Sequence, residues 1–303
     1  MNRKVPLILY DEDIRKSVSV KEAIEVIRDA FLDKHNGRVT QPLRSGINMG
    51  DTSLVWTPGG FPDENIMGLR LYLTGLQESD QLVSVWDTAT GRIECLSIGN
   101  YLGILRTAAI GGAAIDLLSR KDSKVLGIIG FGKQGIMQAK AACAVRNIER
   151  IHAYRRNSVE LAKDTRKLSV ELGIDVEPVD APEEAVKKAD IVVTATGSGS
   201  PVIRREWIKP GTHINSLGPK YQGNTELDPS MILGSDLVCS DFPEKYREES
   251  EFILHGTQKI DALRDLADLI CSGYTRTAEE ITLFLSHGFP GTEVKLLDYI
   301  CKK

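Results

Sequence analysis

The chain has 303 residues, 42% apolar and 26% charged, with a formal net charge of −4, which is enough length for about two domains. A net acidic chain without a basic stripe and interleaved aromatics is not built for nucleic acid. No apolar run approaches about 18 residues, and the short run in MNRKVPLILYDEDIR is no signal segment, so a cytoplasmic protein without a membrane partner is expected.

The five cysteines, Cys95, Cys143, Cys239, Cys271 and Cys301, are scattered through mostly apolar sequence and read as reduced core thiols. The five histidines show no HxxxH spacing and the cysteines no CxxC, so no metal is expected.

In chain order, residues 11–36 carry Val20, Ala23, Ile24, Ile27 and Phe31 at helical spacing, with Gly37 placed as a stop, and predict a helix. From about 40 to 98, short alternating runs such as SLVWTPG, LVSVWDTATG and IECLSIG between Gly, Pro and Asp predict an antiparallel sheet. One of these runs, NIMGLRLYLTG, places Arg70 among apolar residues, where an edge-strand arginine reaching water or an ion-pair partner is the ordinary reading. A helix rich in small residues is predicted over 100–119.

Beyond Ser119 the runs VLGIIG, RIHAYR, DIVVTAT, THINSLG and DLVCSD alternate with helical segments, the order of a parallel sheet with crossover helices. The charged stretch at 119–124 is the expected boundary, and the tail from 277 reads as helix, glycine turn, helix, packing back on the first domain. The division is therefore 1–119 with 277–303, and 120–276.

VLGIIGFGKQG runs an apolar strand into Gly130, Gly132 and Gly135 and then into a helix. This is GxGxxG in the context a dinucleotide site requires, with the pyrophosphate on the helix N-terminus. Gly127 to Lys133 also spells GxxxxGK, but Gln134 stands where an NTP-binding loop needs Ser or Thr for magnesium. At the end of the second strand, HAYRRNS offers Arg155, Arg156 and Asn157 where an NAD site carries an acid. Two guanidiniums suit a 2′-phosphate, so NADP is expected, with NAD as the alternative.

The ordered motifs DTATG (87–91), LRTAA with the glycine loop, TATGS (194–198), NTELD (224–228) and ITLFLSHG (281–288) together resemble the ornithine cyclodeaminase and mu-crystallin family. The resemblance implies a Rossmann-type doubly wound parallel sheet, a second α+β domain for substrate binding and dimerisation, hydride transfer on amino, imino or oxo acids, and a homodimer. It also implies that Arg44 and Arg106 hold a substrate carboxylate, and that Thr107 touches the cofactor phosphate. Thr196 and Leu217 are implied to line the cofactor, with Lys133 and Gln134 in its loop, and Ser286 and Gly288 to close over the nicotinamide.

Two positions depart from the pattern. Arg70 stands where the family has a lysine that contacts substrate and serves as acid or base, and Lys220 stands, in an ungapped match, where cyclodeaminases have an aspartate for the substrate's distal amine. An arginine is a poor proton donor, and a lysine would repel that amine. The expected site therefore has four cations, Arg44, Arg70, Arg106 and Lys220, suited to a substrate with a second anionic group. Lys220 is the expected proton donor, with Arg70 beside it. The expected activity is reduction of a small anionic 2-imino or 2-oxo acid, or the reverse oxidation. The alternatives are a crystallin-like NADPH and ligand binder with little turnover, and an ornithine cyclodeaminase. The loop after the Arg70 strand, TGLQESDQ, reads as shorter than the family's.

Overall fold

Alternating side chains between glycine and aspartate turns form a six-stranded sheet at the start of the chain. A computed structural model describes residues 5–76 and 78–303, so position 77 in the loop after the Arg70 strand lies outside the described residues. The strands are β1 (Leu7–Tyr10), β2 (Ser45–Met49), β3 (Thr52–Phe61), β4 (Ile66–Thr74), β5 (Gln81–Asp87) and β6 (Arg92–Gly99), in the order β1-β6-β5-β4-β3-β2. β2 to β6 are antiparallel, as the turn pattern predicts, whereas β1 adds in parallel to β6.

The helix predicted over 11–36 is two helices, α1 (Asp11–Ser17) and α2 (Val20–His35). Ser19 breaks it: its hydroxyl accepts from the Glu22 backbone N–H while the Glu22 carboxylate takes the Ser19 N–H, a capping box that begins a new helix. Helix α3 (Tyr101–Leu118) matches the expected span. It is long and apolar enough to cross a membrane, with a mean hydropathy of 1.4, yet 78% of it is buried inside the protein.

The second sheet is built from β7 (Val125–Ile129), β8 (Arg150–Tyr154), β9 (Asp175–Pro178), β10 (Ile191–Thr194), β11 (His213–Ser216), β14 (Leu237–Ser240), β15 (Arg264–Asp265) and β16 (Thr282–Leu285), while β12 (Lys220–Tyr221) and β13 (Asn224–Thr225) form a separate hairpin. Its order, β15-β14-β16-β11-β10-β7-β8-β9, is parallel throughout. The direction of winding reverses between β7 and β10, the place where doubly wound sheets bind ligands. Helices α4 (Lys133–Val145), α5 (Ser158–Leu172), α6 (Pro182–Lys187), α7 (Pro229–Leu233), α8 (Pro243–Glu248) and α9 (Leu266–Cys271) accompany it. On β10, Ile191 and Val193 face one apolar cluster and Val192 the other, which explains the unbroken apolar run. The same reasoning corrects the tail: ITLFLS is not helix but the buried central strand β16, and only α10 (Thr292–Lys302) is helical.

The chain divides into two compact units, Met1–Ala109 with Gly288–Lys303 (unit 1) and Ile110–His287 (unit 2). The division falls inside α3 and at Gly288, whereas the composition shift suggests 119 and 277. In unit 1, α2 buries Ala23, Ile24, Ile27 and Phe31, and Phe31 meets Phe289 with ring centroids 5.2 Å apart.

Candidate functional site

In unit 2 the turn from β7 into α4 has the geometry that GxGxxG predicts. Gly130 has φ +95°, and a Cβ there would sit 2.4 Å from the Ala195 carbonyl oxygen. Gly135 lies against the Gly130 carbonyl, while Gly132, the N-cap of α4, faces open space into which backbone-bound phosphate fits. A cavity of about 730 Å³ is lined by Gly130, Gly132, Tyr154, Arg155, Arg156, Asn157 and Thr196, among others. These residues fit a dinucleotide: glycines beneath the diphosphate, guanidiniums at the end of β8 and, among the described residues, no carboxylate lining the wall. Arg155 is held by Glu160 and, at 3.2 Å, by Asp164, while Arg156 is exposed. The Asn157 side chain caps α5 by accepting from the Glu160 N–H. Lys133 and Gln134 begin α4, and Leu217 packs on the core at the end of β11.

The loops after β10 and β11 are tied together by Glu226, which no sequence signal singles out. Its buried carboxylate accepts five hydrogen bonds, from the Thr194, Thr196 and Ser216 hydroxyls and the Thr196 and Gly218 backbone N–H groups, at 2.7 to 3.0 Å. Nearby, Lys220 is 3% exposed and donates from Nζ to the Gly218 carbonyl at 2.7 Å and the Ser286 carbonyl at 3.2 Å. Burial pulls its pKa down to about 8, with Glu226 and Asp241 pulling the other way. An amine with that pKa exchanges protons near neutrality, as an acid catalyst must.

Unit 1 gathers the arginines. Arg70 lies on the face of β4 that α10 covers, and its guanidinium is fixed on three sides. Nε donates to Gln81 Oε1 at 2.9 Å, Nη1 donates to Glu293 Oε1 at 3.0 Å, and the plane lies over the Tyr72 ring at 4.2 Å. Arg106 Nη2 donates to the same Glu293 oxygen, and a Cβ at Gly288 would collide with Arg106 Nη1. Arg44 and Arg106 are near enough for their charges to act on Arg70. Burial opposes the charge on Glu293, yet Arg106 and Arg70 outweigh it and hold its carboxyl below the ordinary range. Among the described residues, Arg44 Nε and Arg106 Nε are buried with no hydrogen-bond partner. Orphaned guanidinium N–H groups are what an incoming carboxylate satisfies. The Thr107 hydroxyl donates to the Gly103 carbonyl within α3.

Residues 4–303 match the model of the ornithine cyclodeaminase/mu-crystallin family. The chain belongs to this family. Delta(1)-pyrroline-2-carboxylate reductase of Thermococcus litoralis, solved with NADH and L-proline, superposes with a TM-score of 0.90 at 31% identity, covering 98% of this chain and 96% of its own. An archaeal alanine dehydrogenase dimer solved with NAD gives 0.87 at 26% identity, over 98% and 95%. Iminosuccinate reductase of Paracoccus denitrificans is 28% identical over 306 residues, 96% of this chain and 93% of its own. Membership of the ornithine cyclodeaminase/mu-crystallin family and the Rossmann-type sheet agree with what the motifs predict.

Within that family frame, the structure brings Arg44, Arg70 and Arg106 together in unit 1, whereas Lys220, Thr196 and Ser286 belong to unit 2. The expected count of four cations omits Glu293, which offsets one of the guanidiniums. Its only mark in the sequence is an acid at the start of a helix after HGFPG, a pattern that ordinarily signals helix polarity. Glu226 sits in the quoted NTELD motif, but a carboxylate satisfied by hydroxyls and backbone leaves no spacing signature. Among the described residues, no three His, Cys, Asp or Glu side chains gather as a metal site, and all five cysteines are free.

Proposed function

We propose that the chain is an NAD(P)-dependent oxidoreductase that reduces a small anionic 2-imino or 2-oxo acid, or oxidises the matching amino or hydroxy acid. The observation that carries this reading is that a glycine-loop cradle shares one chain with arginines whose buried Nε donors lack partners. Arg44 and Arg106 hold the carboxylate, and the bound nicotinamide supplies or accepts hydride. Lys220 Nζ donates the proton in the reductive direction, a role supported by its burial and a pKa of about 8. The relatives named above act on imino and amino acids, which supports the substrate class.

NADP is the preferred cofactor, because Arg155 and Arg156 line the cavity at the end of β8 and no carboxylate there accepts from a ribose diol. The related structures hold NAD or NADH, so the NADP preference rests on Arg155 and Arg156 of this chain alone. The protein works as a homodimer, a state supported by the dimeric alanine dehydrogenase, and in the cytoplasm, where five unpaired cysteines stay reduced.

Following NADPH absorbance over a panel of 2-oxo acids, with and without amines, tests this reading. Substrate-dependent oxidation of NADPH is the expected result; release of ammonia from ornithine without net cofactor consumption would identify a cyclodeaminase instead. A crystallin-like binder is the second reading, favoured by Arg70, which cannot exchange a proton near neutrality where the family has a lysine. It predicts tight NADPH binding with no oxidation by any acid on the panel.

A further inference from the structure

Glu293 is a carboxylate that the protein supplies to its own arginines. It is 2% exposed and takes Arg70 Nη1 and Arg106 Nη2 on one oxygen. Its helix is closely seated: a Cβ on Gly59 would sit 2.4 Å from Gly291 Cα, so α10 begins in backbone contact with β3, two residues before Glu293. Arg70 is equally fixed, because Gln81, Tyr72 and Glu293 take its Nε, its face and its Nη1. Among the described residues, the buried guanidinium donors of this cluster that lack a partner are Arg44 Nε and Arg106 Nε.

We propose that Glu293 is the specificity-determining residue of the arginine cluster: it occupies the place of a second substrate carboxylate, so the cluster takes acids with one carboxylate and rejects dicarboxylic ones. Three guanidiniums beside an entering ligand would favour a dianion. With Glu293 in place, a second carboxylate reaching Arg70 meets a like charge in a water-poor setting, where repulsion costs more than at the surface. A single carboxylate taken by Arg44 Nε and Arg106 Nε leaves Arg70 to Glu293 and brings no second charge against it. Arg70 then acts as a positioning residue, anchoring Glu293 rather than the substrate. The inference rests on the reading of Arg44 and Arg106 as the substrate anchor.

Equilibrium titration of the NADPH-loaded protein with two unreactive acids, propionate and malonate, tests it without turnover. Wild type should bind propionate at least about tenfold more tightly than malonate, and Glu293→Gln should shift that ratio about tenfold or more toward malonate. Glu293→Asp, which keeps the charge, should retain the wild-type preference, and formate should restore the propionate preference to Glu293→Ala by refilling the gap. Malonate binding as tightly as propionate to wild type, or an unchanged ratio in Glu293→Gln, overturns the inference alone. Binding of neither acid to wild type, or affinities unmoved by Arg44→Met, overturns the anchor reading and the inference with it. Should Glu293→Gln fail to fold, the double variant Arg70→Leu/Glu293→Leu removes both charges, and retention of the full propionate preference there also overturns the inference.

Discussion

Unit 1 and unit 2 each bury a carboxylate, and they satisfy it in opposite ways. Glu293 is held by charges, two guanidiniums on one oxygen. Glu226 is held by five uncharged donors, and the buried amine near it, Lys220, is held by two carbonyls. The charged arrangement locks protonation states: a guanidinium does not titrate, and Arg70 and Arg106 keep Glu293 ionised. The uncharged arrangement leaves Lys220 free to change state near pH 8. Binding an anion calls for the first kind of environment, moving a proton for the second, and the chain keeps one in each unit.

Removing a buried acceptor breaks the neutral arrangement most severely. Glu226→Ala orphans five donors, so thermal or urea denaturation should report a loss on the order of 4 kcal/mol. Dinucleotide affinity should fall in the same variant, because Thr196 loses its anchor.

Lys220→Met sharpens the contrast, since it should lower reductive kcat about a hundredfold while stabilising the fold. The unfolded lysine binds its proton up to its ordinary value of 10.5, the folded one only to about 8. Folding therefore expels a proton between those values, and stability rises with pH across that window. Below pH 8 the wild type carries the full penalty of a buried ammonium, roughly 3 kcal/mol. At pH 7 the methionine variant should melt higher, and the decline of wild-type activity as pH rises through 8 should vanish. A methionine variant that is both active and unaltered in its pH profile would remove Lys220 from the chemistry.

A smaller effect is expected at the cofactor. Replacing Arg155 and Arg156 by Ala should raise KM for NADPH about tenfold and leave KM for NADH nearly unchanged. Equal changes for both cofactors would mean that the arginines only shape the loop.

An effect confined to acid pH concerns His213, fully buried between Thr282 and Asn215, whose pKa burial pulls down to about 3. Its unfolded form takes a proton below about 6.5 and its folded form does not, so stability drops as pH falls from 6.5 toward 3. The slope from this group approaches roughly 1.4 kcal/mol per pH unit. His213→Gln, melted across the same range, should show a shallower decline.

What the sequence makes legible follows from the range of the forces involved. The glycine loop, the small-residue helix α3 and the parallel strands rest on local periodicity and turn geometry, and they lie where the pattern puts them. The arginines can be named because several motifs flank them. Their partners cannot: Gln81 is 11 residues from Arg70, Glu293 is 223. No periodicity links such positions, and a glutamate at a helix start has an adequate local explanation. The strand β16 reads as helix for a related reason, since TLFL is too short for periodicity to separate strand from helix.

The contact of Glu293 with Arg106 spans 187 residues of sequence, and all of unit 2 is encoded between them. During synthesis Arg70 and Arg106 therefore leave the ribosome long before the acid that neutralises them, and unit 2 is complete while unit 1 still lacks its last helix. The arginine cluster therefore gains its shared carboxylate only after unit 2 has been made. A chain that stopped short of Glu293 would hold a finished glycine loop but leave Arg70 and Arg106 without the carboxylate they share, which makes α10 a checkpoint on the charge of this cluster.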